Sequence, residues 1–411
     1  MSIYIIDEIM GRGKTSAMIN HINKSTEEEK FLFITPYLAE VERIKNSCPQ
    51  KRFKTPNAEG GKLNNIKKLF AKGHNIVSTH ALFMMFDDDI FQSVKDYGYT
   101  LIIDEVVNVV NITRVSKYDA EILSDSGCVE IDSDGKMRWI EKEYNGVFDD
   151  TKKTIETNDI FMYGDNVWVG LLPMDLFTSF KNVYIMTYMF DGQLQRGYFD
   201  MQGISYSYKY ISGDSVENYS ITDTPSVRIP IDYRPLIKIV DNRRMNMIGG
   251  SEHALSKGWY EKNLKKDGGD TLRKNVLNFF KNCVDTKASE NLWTTFCDSD
   301  DEGLDCKTSL SGNGFTKGFL PCNARGTNNF KNRRSLAYLV NRYVSPVIKQ
   351  LFFKNDIEFD EDKYALSEMI QWIWRSAIRD GKEIYVYIPS KRMRNLLTAW
   401  LDEISNPVND I

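Results

Sequence analysis

Two short motifs contain side chains suited to phosphate chemistry. In the first, Gly11, Gly13, Lys14 and Thr15 ("GRGKT") separate an apolar run from a helical pattern. Backbone N–H groups at such a helix start bind phosphate oxygens, the lysine reaches the β- and γ-phosphates, and the hydroxyl holds Mg²⁺. The full pattern G-x-x-x-x-G-K-[ST] is not met, because its first position is Glu8. The alternative is a glycine-containing turn between a strand and a helix.

The second motif, "LIIDEVV", places Asp104 and Glu105 directly after an apolar run. An aspartate at this strand end helps to hold Mg²⁺, and the adjacent glutamate suits a general base or a water-positioning residue. A solvated turn is the alternative. The two motifs together predict an ATP and Mg²⁺ site in which Lys14, Asp104 and Glu105 are catalytic, and Thr15 and Asp104 hold the metal. The predicted nucleotide-binding residues are Gly11, Arg12, Gly13, Lys14, Thr15 and Ser16.

Short apolar runs alternate with helical patterns around both motifs. Strands are predicted at 3–6 and 30–36 and within 75–83 and 99–107, with helices between them. This alternation indicates βα units and a mostly parallel sheet, whose ligands gather at the carboxyl ends of the strands. Two alternating runs around Ser-Asp-Gly predict a β-hairpin at 128–141.

The rest of the chain predicts a second α/β unit. Residues 223–235 are the expected passage between a domain at 1–225, with an insertion at about 113–170, and a domain at 226–411. The second domain has predicted helices at 334–353 and 363–379, and predicted strands within 291–297, 318–326 and 383–389.

Composition narrows the class of protein. The chain has 411 residues, is 42% hydrophobic and 27% charged, and carries a net charge of −4. These values are typical of a globular protein with two or three domains, in which any nucleic-acid surface must be local. Basic clusters occur at 242–246, 331–342 and 390–395, although ordinary solvated charge is an equal alternative for each.

Cysteine usage and hydropathy indicate the compartment. Six cysteines occur without a CxxC pair, which favours a reduced, cytoplasmic setting over a zinc or redox site. No apolar run approaches the roughly 20 residues that span a bilayer. The abundance of Asn, Ile, Lys and Tyr is typical of an AT-rich genome such as that of a phage.

In their order along the chain, seven segments resemble the motifs of superfamily 2 helicases and translocases of the DEAD/DEAH type. They are "EIMGRGKT" (motif I), "FITPYLAEVERI" (Ia), "VSTHALF" (Ib), "IIDEVV" (II), "YIMTYMF" (III), "NARGTNNF" (V) and "QWIWRSAIR" (VI). The series spans most of the chain. Val106 and Val107 replace the usual end of motif II, Trp374 replaces the glycine of motif VI, and Arg379 falls one residue late.

The resemblance implies an α/β fold of two RecA-like P-loop domains that hydrolyse ATP at the cleft between them. Gln371 would act in catalysis, either Arg375 or Arg379 would be the arginine finger, and Thr187 would couple the sites. Trp372 and Trp374 are expected in the core rather than stacked on bases. The resemblance also implies a nucleic-acid partner, DNA rather than RNA, with replication or recombination proteins as further partners. The implied strand contacts are Thr35, Pro36, Thr79, His80, Arg325 and Thr327.

Three functions follow as hypotheses. The first is an ATP-dependent nucleic-acid helicase or translocase. The second is an ATP-gated nucleic-acid binding or loading protein without processive unwinding. A nucleotide kinase or GTPase is the third, and the Asp-Glu pair and the lack of N-K-x-D argue against it.

Overall fold

The computed structural model describes residues 1–36, 38–133, 135–164, 166–225, 231–296, 305–312, 314–324 and 329–405. The chain divides into two units. The first comprises residues 1–9, 13–226 and 345–359, and the second comprises residues 10–12, 227–344 and 360–411. The predicted division at residue 225 stays a prediction, and the assignment of residues 345–359 to the first unit was not foreseen.

The strands of the first unit are β1 (Ser2–Asp7), β2 (Phe31–Thr35), β3 (Ile76–Thr79), β4 (Thr100–Asp104), β5 (Val110–Arg114), β6 (Val129–Ile131), β7 (Met137–Trp139), β8 (Asp159–Tyr163), β9 (Val167–Leu171), β10 (Asn182–Thr187), β11 (Ser207–Ser212) and β12 (Ser220–Thr222). Those of the second are β13 (Ile237–Ile239), β14 (Asn291–Thr294), β15 (Ser335–Tyr338) and β16 (Ile384–Tyr387).

The helices of the first unit are α1 (Lys14–Lys24), α2 (Leu38–Ser47), α3 (Lys62–Ala71), α4 (His80–Phe83), α5 (Asp88–Tyr97), α6 (Lys117–Asp125), α7 (Asp149–Thr157), α8 (Asp175–Thr178), α9 (Leu194–Met201) and α14 (Pro346–Lys354). Those of the second are α10 (Arg243–Asn246), α11 (Lys257–Asn263), α12 (Asp267–Asn278), α13 (Cys306–Leu310), α15 (Glu361–Ile373) and α16 (Lys391–Ser405).

The main sheet of the first unit has the order β12-β11-β1-β10-β4-β2-β3. All pairs from β11 to β3 are parallel, and only β12 is antiparallel. Fully buried side chains such as Met18 of α1 and Phe33, Ile102 and Met186 of the strands form its core. The apolar runs are nearly continuous because a parallel sheet is covered on both faces. The predicted α/β class with mostly parallel sheets is therefore confirmed.

The segment between β4 and β10 has a small core of its own. It contains an antiparallel sheet, β5-β9-β8, and the predicted hairpin, in which Val129 pairs with Trp139. Buried Leu123, Met137 and Ile160 contribute to this core.

Helix α14 belongs to the first unit through direct side-chain contacts. The Phe352 ring lies so close to Gly197 that a Cβ there would be 2.6 Å away. The Arg196 guanidinium donates to the Glu358 carbonyl (2.5 Å), and the Lys354 ammonium lies 5.0 Å from the Tyr163 ring centroid.

The second unit has a fully parallel sheet with the order β13-β16-β15-β14. Three expectations for this unit were wrong. The predicted helix at 334–353 contains the buried strand β15 as well as α14, because a short apolar run does not distinguish a buried strand from a helix. Within the described part of 318–326, only Phe319 pairs, in an isolated bridge.

The third error concerns the predicted helix at 363–379. Helix α15 ends at Ile373, and a separate 3-10 turn covers Ala377–Asp380. The Ser376 hydroxyl donates to the Ile373 carbonyl (2.6 Å), and such local bonds compete with helix continuation. No helix among the described residues is long and apolar enough to cross a membrane.

Candidate nucleotide site

The predicted nucleotide, metal, coupling and strand-contact residues of the first unit lie at one edge of its main sheet. Asp7 at the end of β1 pairs with Thr187 at the end of β10, and Asp104 at the end of β4 pairs with Met186. Thr35 and Thr79 end β2 and β3 side by side. Because β10 lies between β1 and β4, these two strands are about 9.6 Å apart, twice the spacing of about 4.8 Å between neighbours.

The GRGKT segment forms a loop that ends at the start of α1. Gly11 and Gly13 have φ angles of 82° and 92°, a conformation that glycine adopts without strain. Helix α1 begins at Lys14, and its first turn contains no acidic residue. The helix N-terminus is therefore electrostatically suited to a phosphate.

Glu8 occupies its non-standard position without strain. Its φ angle is not positive, so this position does not require glycine. Its carboxylate accepts from the Ile9 amide (3.1 Å), and its own amide donates to the Thr187 carbonyl (3.1 Å). The departure from the pattern is thus compatible with the loop.

Lys14 is buried, and its ammonium donates to the carbonyls of Glu8 and Ile9, the latter at 3.3 Å. Burial lowers the pKa of Lys14, and the nearby carboxylates of Glu105 and Asp104 act against this shift. Both bonds join the lysine to its own loop. A phosphate could replace these carbonyls as a stronger, charged acceptor.

Asp104 is half-buried beside Glu105. Loss of hydration, followed by repulsion from Glu105, raises the pKa of Asp104 to about 7, while Lys14 opposes the rise. Two carboxylates that repel each other favour binding of a cation. The described residues contain no group of three or more His, Cys, Asp and Glu side chains suited to a metal. Mg²⁺ commonly uses one or two protein ligands together with substrate phosphates and water, and Thr15 and Asp104 fit that mode.

The turn after β4 has an unusual backbone. Glu105 has a φ angle of 69°, which a residue with a Cβ rarely adopts. Its amide donates to the Met186 carbonyl (2.9 Å), and Nε2 of His80 lies 3.1 Å from the Asp104 carbonyl.

The strand-contact candidates differ in exposure. Thr35 is fully buried, whereas Pro36, Thr79 and His80 are half-buried. The hydroxyls of Thr35 and the coupling candidate Thr187 are both buried, and within the described residues neither has a hydrogen-bond partner.

Sequence reasoning missed Asp7 and Tyr219. The Asp7 carboxylate accepts from the amides of Met189 (2.7 Å) and Phe190 (2.8 Å), which joins the end of β1 to the turn after β10. Burial raises the pKa of Asp7. The Tyr219 ring covers Gly13, so that a Cβ there would be 2.6 Å from it. An acidic residue at a strand end was a visible signal for Asp7, whereas the tyrosine contact depends on tertiary structure.

The remaining predicted residues belong to the second unit. Gln371 in α15 and Arg375 beyond its end are buried, whereas Arg379 in the 3-10 turn is exposed. Trp372 and Trp374 are buried, which confirms the core prediction. Two further candidates, Arg325 and Thr327, lie outside the described residues.

Two solved structures show weak structural similarity to this chain. S. tokodaii Xpd4 is 11% identical, with a TM-score of 0.43 over 97% of this chain and 94% of that protein. The DUF1998 helicase MrfA bound to DNA and AMPPNP is 11% identical, with a TM-score of 0.33 over 98% of this chain and 48% of its own. Because both TM-scores lie below 0.5, neither structure supports a conclusion about the function of this chain.

Sequence comparison gives a closer relationship. Residues 231–401 match the YonV C-terminal Rossmann-like domain, and residues 110–169 match the YonV middle domain. The SPbeta prophage-derived protein YonV of Bacillus subtilis (strain 168) is 40% identical over 417 residues, covering 97% of this chain and 98% of that protein. The chain therefore belongs to the YonV family.

Proposed function

We propose that this protein is an ATP-dependent nucleic-acid helicase or translocase, built on two RecA-like domains. The observation that carries the proposal is the grouping of the glycine loop, Lys14, Asp104 and Glu105 at the carboxyl edge of one parallel sheet. Phosphoryl transfer depends mainly on positioning and charge neutralisation, and this group supplies amides, an ammonium and two carboxylates.

Each residue has a defined task in this proposal. The loop amides and the start of α1 bind the phosphates, and Lys14 exchanges its loop carbonyls for phosphate oxygens. Thr15 and Asp104 hold Mg²⁺, which neutralises charge on the phosphates when bound. Glu105 orients the attacking water and accepts its proton.

An arginine of the second unit would complete the charge neutralisation. We assign this role to Arg379 rather than Arg375, because Arg379 is exposed and Arg375 is buried. An exposed guanidinium is accessible to a phosphate, whereas a buried one would first have to be uncovered. Gln371 would also act in catalysis, and Thr187 would couple the sites.

The nucleic-acid part of the proposal depends on the order of the motifs. The strand would contact Pro36, Thr79, Arg325 and Thr327, with DNA favoured over RNA. The prophage origin of the related protein supports a phage-encoded protein that works in the host cytoplasm, with replication or recombination proteins as partners.

ATP hydrolysis in the presence of single-stranded DNA, duplex DNA and RNA tests the proposal. We expect stimulation by one of these, with loss of activity in Lys14→Ala and retained ATP binding in Glu105→Gln. Full activity in Lys14→Ala would refute the assignment of the site. Hydrolysis without strand displacement or translocation would instead support an ATP-gated binding or loading protein.

A further inference from the structure

The backbone carbonyl of Asp104, at the end of β4, faces a position where the neighbouring strand β2 offers no N–H donor. Alternate residues of a parallel strand bond to opposite neighbours. The Thr100 amide donates to the Lys30 carbonyl (2.8 Å), on the β2 side, and the Glu105 amide donates to the Met186 carbonyl (2.9 Å), on the β10 side. Even-numbered residues of β4 therefore face β2, and the Asp104 carbonyl is directed at that strand.

The residue that would normally donate to this carbonyl is a proline. Ile34 pairs with Ile103, so the Asp104 carbonyl points to the amide of residue 36. That residue is Pro36, which has no N–H. His80 fills the position, because its Nε2 lies 3.1 Å from the Asp104 oxygen. A carbonyl only accepts, so Nε2 must carry the hydrogen.

The same peptide unit also contains the Glu105 amide. Its N–H is held by β10 and its carbonyl by His80, so the peptide plane is fixed at both ends. Glu105 needs this support, because its positive φ angle persists only where the surroundings enforce it. The direction of the Glu105 side chain consequently depends on His80.

We propose that His80 is a positioning residue for Glu105, and that it acts through the backbone of Asp104 rather than by contact with nucleic acid. This inference rests on the proposed function, in which Glu105 orients the attacking water. His80 is the first residue of α4, directly after β3. A shift of this segment when nucleic acid binds would therefore change the orientation of Glu105 and the rate of hydrolysis.

Four variants test the inference: His80→Ala, His80→Gln, Pro36→Ala and the double variant Pro36→Ala/His80→Ala. One hydrogen bond corresponds to about a fivefold change in rate. We expect His80→Ala to lower kcat of ATP hydrolysis by about fivefold, with KM for ATP and the Kd for single-stranded DNA unchanged. Glutamine keeps an N–H donor, so His80→Gln should retain most of the rate. The exposed His253→Ala provides the control.

The double variant is the most discriminating test, because Pro36→Ala restores a backbone N–H donor at residue 36, directly after β2. We expect it to recover most of the kcat that His80→Ala loses, measured without nucleic acid so that the proposed strand contact of Pro36 does not enter. A merely structural contact of the histidine ring would not be rescued in this way. Nitrogen-15 NMR of the four histidines should show a protonated Nε2 for His80, assigned by its loss in His80→Gln.

The outcomes separate this inference from the proposed function. A wild-type protein without ATPase activity would overturn the proposed function. An active wild-type protein with unchanged kcat in His80→Ala would overturn the inference alone. Loss of DNA affinity in His80→Ala without a change in kcat would also overturn it, in favour of direct contact with nucleic acid. Failure of the double variant to recover would refute the backbone mechanism.

Discussion

Replacement of Asp104 by asparagine should stabilise the nucleotide-free protein at high pH. The side chains are nearly identical in shape, so the main change is the loss of a titratable charge. Burial raises the pKa of Asp104 from 3.8 to about 7. A raised carboxyl pKa means that its contribution to stability is present at low pH and is lost as the pH rises through about 7. Asparagine removes this loss.

The magnitude follows from the same values. The difference in the pKa of Asp104, from 3.8 to about 7, corresponds at 1.36 kcal/mol for each unit to a loss of about 4 kcal/mol in the free energy of unfolding. About 3 kcal/mol of this loss falls above pH 5. Asp104 is only half-buried, so solvent screening reduces the effect. We expect the advantage of Asp104→Asn in free energy of unfolding to grow by about 2 kcal/mol between pH 5 and pH 8.

The measurement must isolate the first unit, because a chain with two units need not unfold in one step. Pulsed hydrogen exchange at increasing urea, read by mass spectrometry on peptides that cover β4 and β10, gives the local free energy of unfolding. Nucleotide is omitted and EDTA is present. Asp125 is exposed, and Asp125→Asn is the matched control. Its difference from wild type in free energy of unfolding should not increase between pH 5 and pH 8. A pH-independent difference between Asp104→Asn and wild type would refute the electrostatic reasoning.

Three further predictions concern the loop, the glutamate and the arginines. Gly13→Ala and Gly11→Ala each introduce strain of about 1 kcal/mol, but only Gly13→Ala also meets a tyrosine ring, at 2.6 Å, so calorimetry should show a larger loss of affinity for an ATP analogue in Gly13→Ala than in Gly11→Ala. Glu105→Gln should lower kcat by about 10²- to 10⁴-fold with an unchanged Kd for ATP, and a small decrease would exclude a general base. Arg379→Ala should lose ATPase activity with an unchanged melting temperature. Arg375→Ala removes a buried side chain and should destabilise the fold by about 1–3 kcal/mol, and the reverse pattern would exchange their roles.

The parts of the structure that local patterns determine could be predicted from the sequence. An apolar run followed by GRGKT and a helical pattern predicted β1, the loop and a helix directly after it, and the structure has helix α1 at Lys14–Lys24. Strand β15 was mistaken for a helix, because a buried strand has no alternation to reveal it.

Contacts that depend on the register of the strands could not be predicted from the sequence. His80 and Pro36 were taken as two separate strand contacts. Their shared relation to Asp104 follows only from the pairing of Ile34 with Ile103. The proposed distinction between Arg375 and Arg379 likewise required the observed burial of Arg375 and exposure of Arg379.

The return of residues 345–359 to the first unit has a consequence for synthesis on the ribosome. The N-terminal part of the chain cannot complete its fold when residue 226 emerges, because α14 is still untranslated. At about 5–20 residues per second, the intervening chain delays completion by roughly 7–27 seconds. During this time the surface that receives Phe352, which includes Gly197, is uncovered. Expression of residues 1–226 alone should therefore yield an aggregation-prone product, and supplying residues 345–359 as a fused segment should increase its solubility.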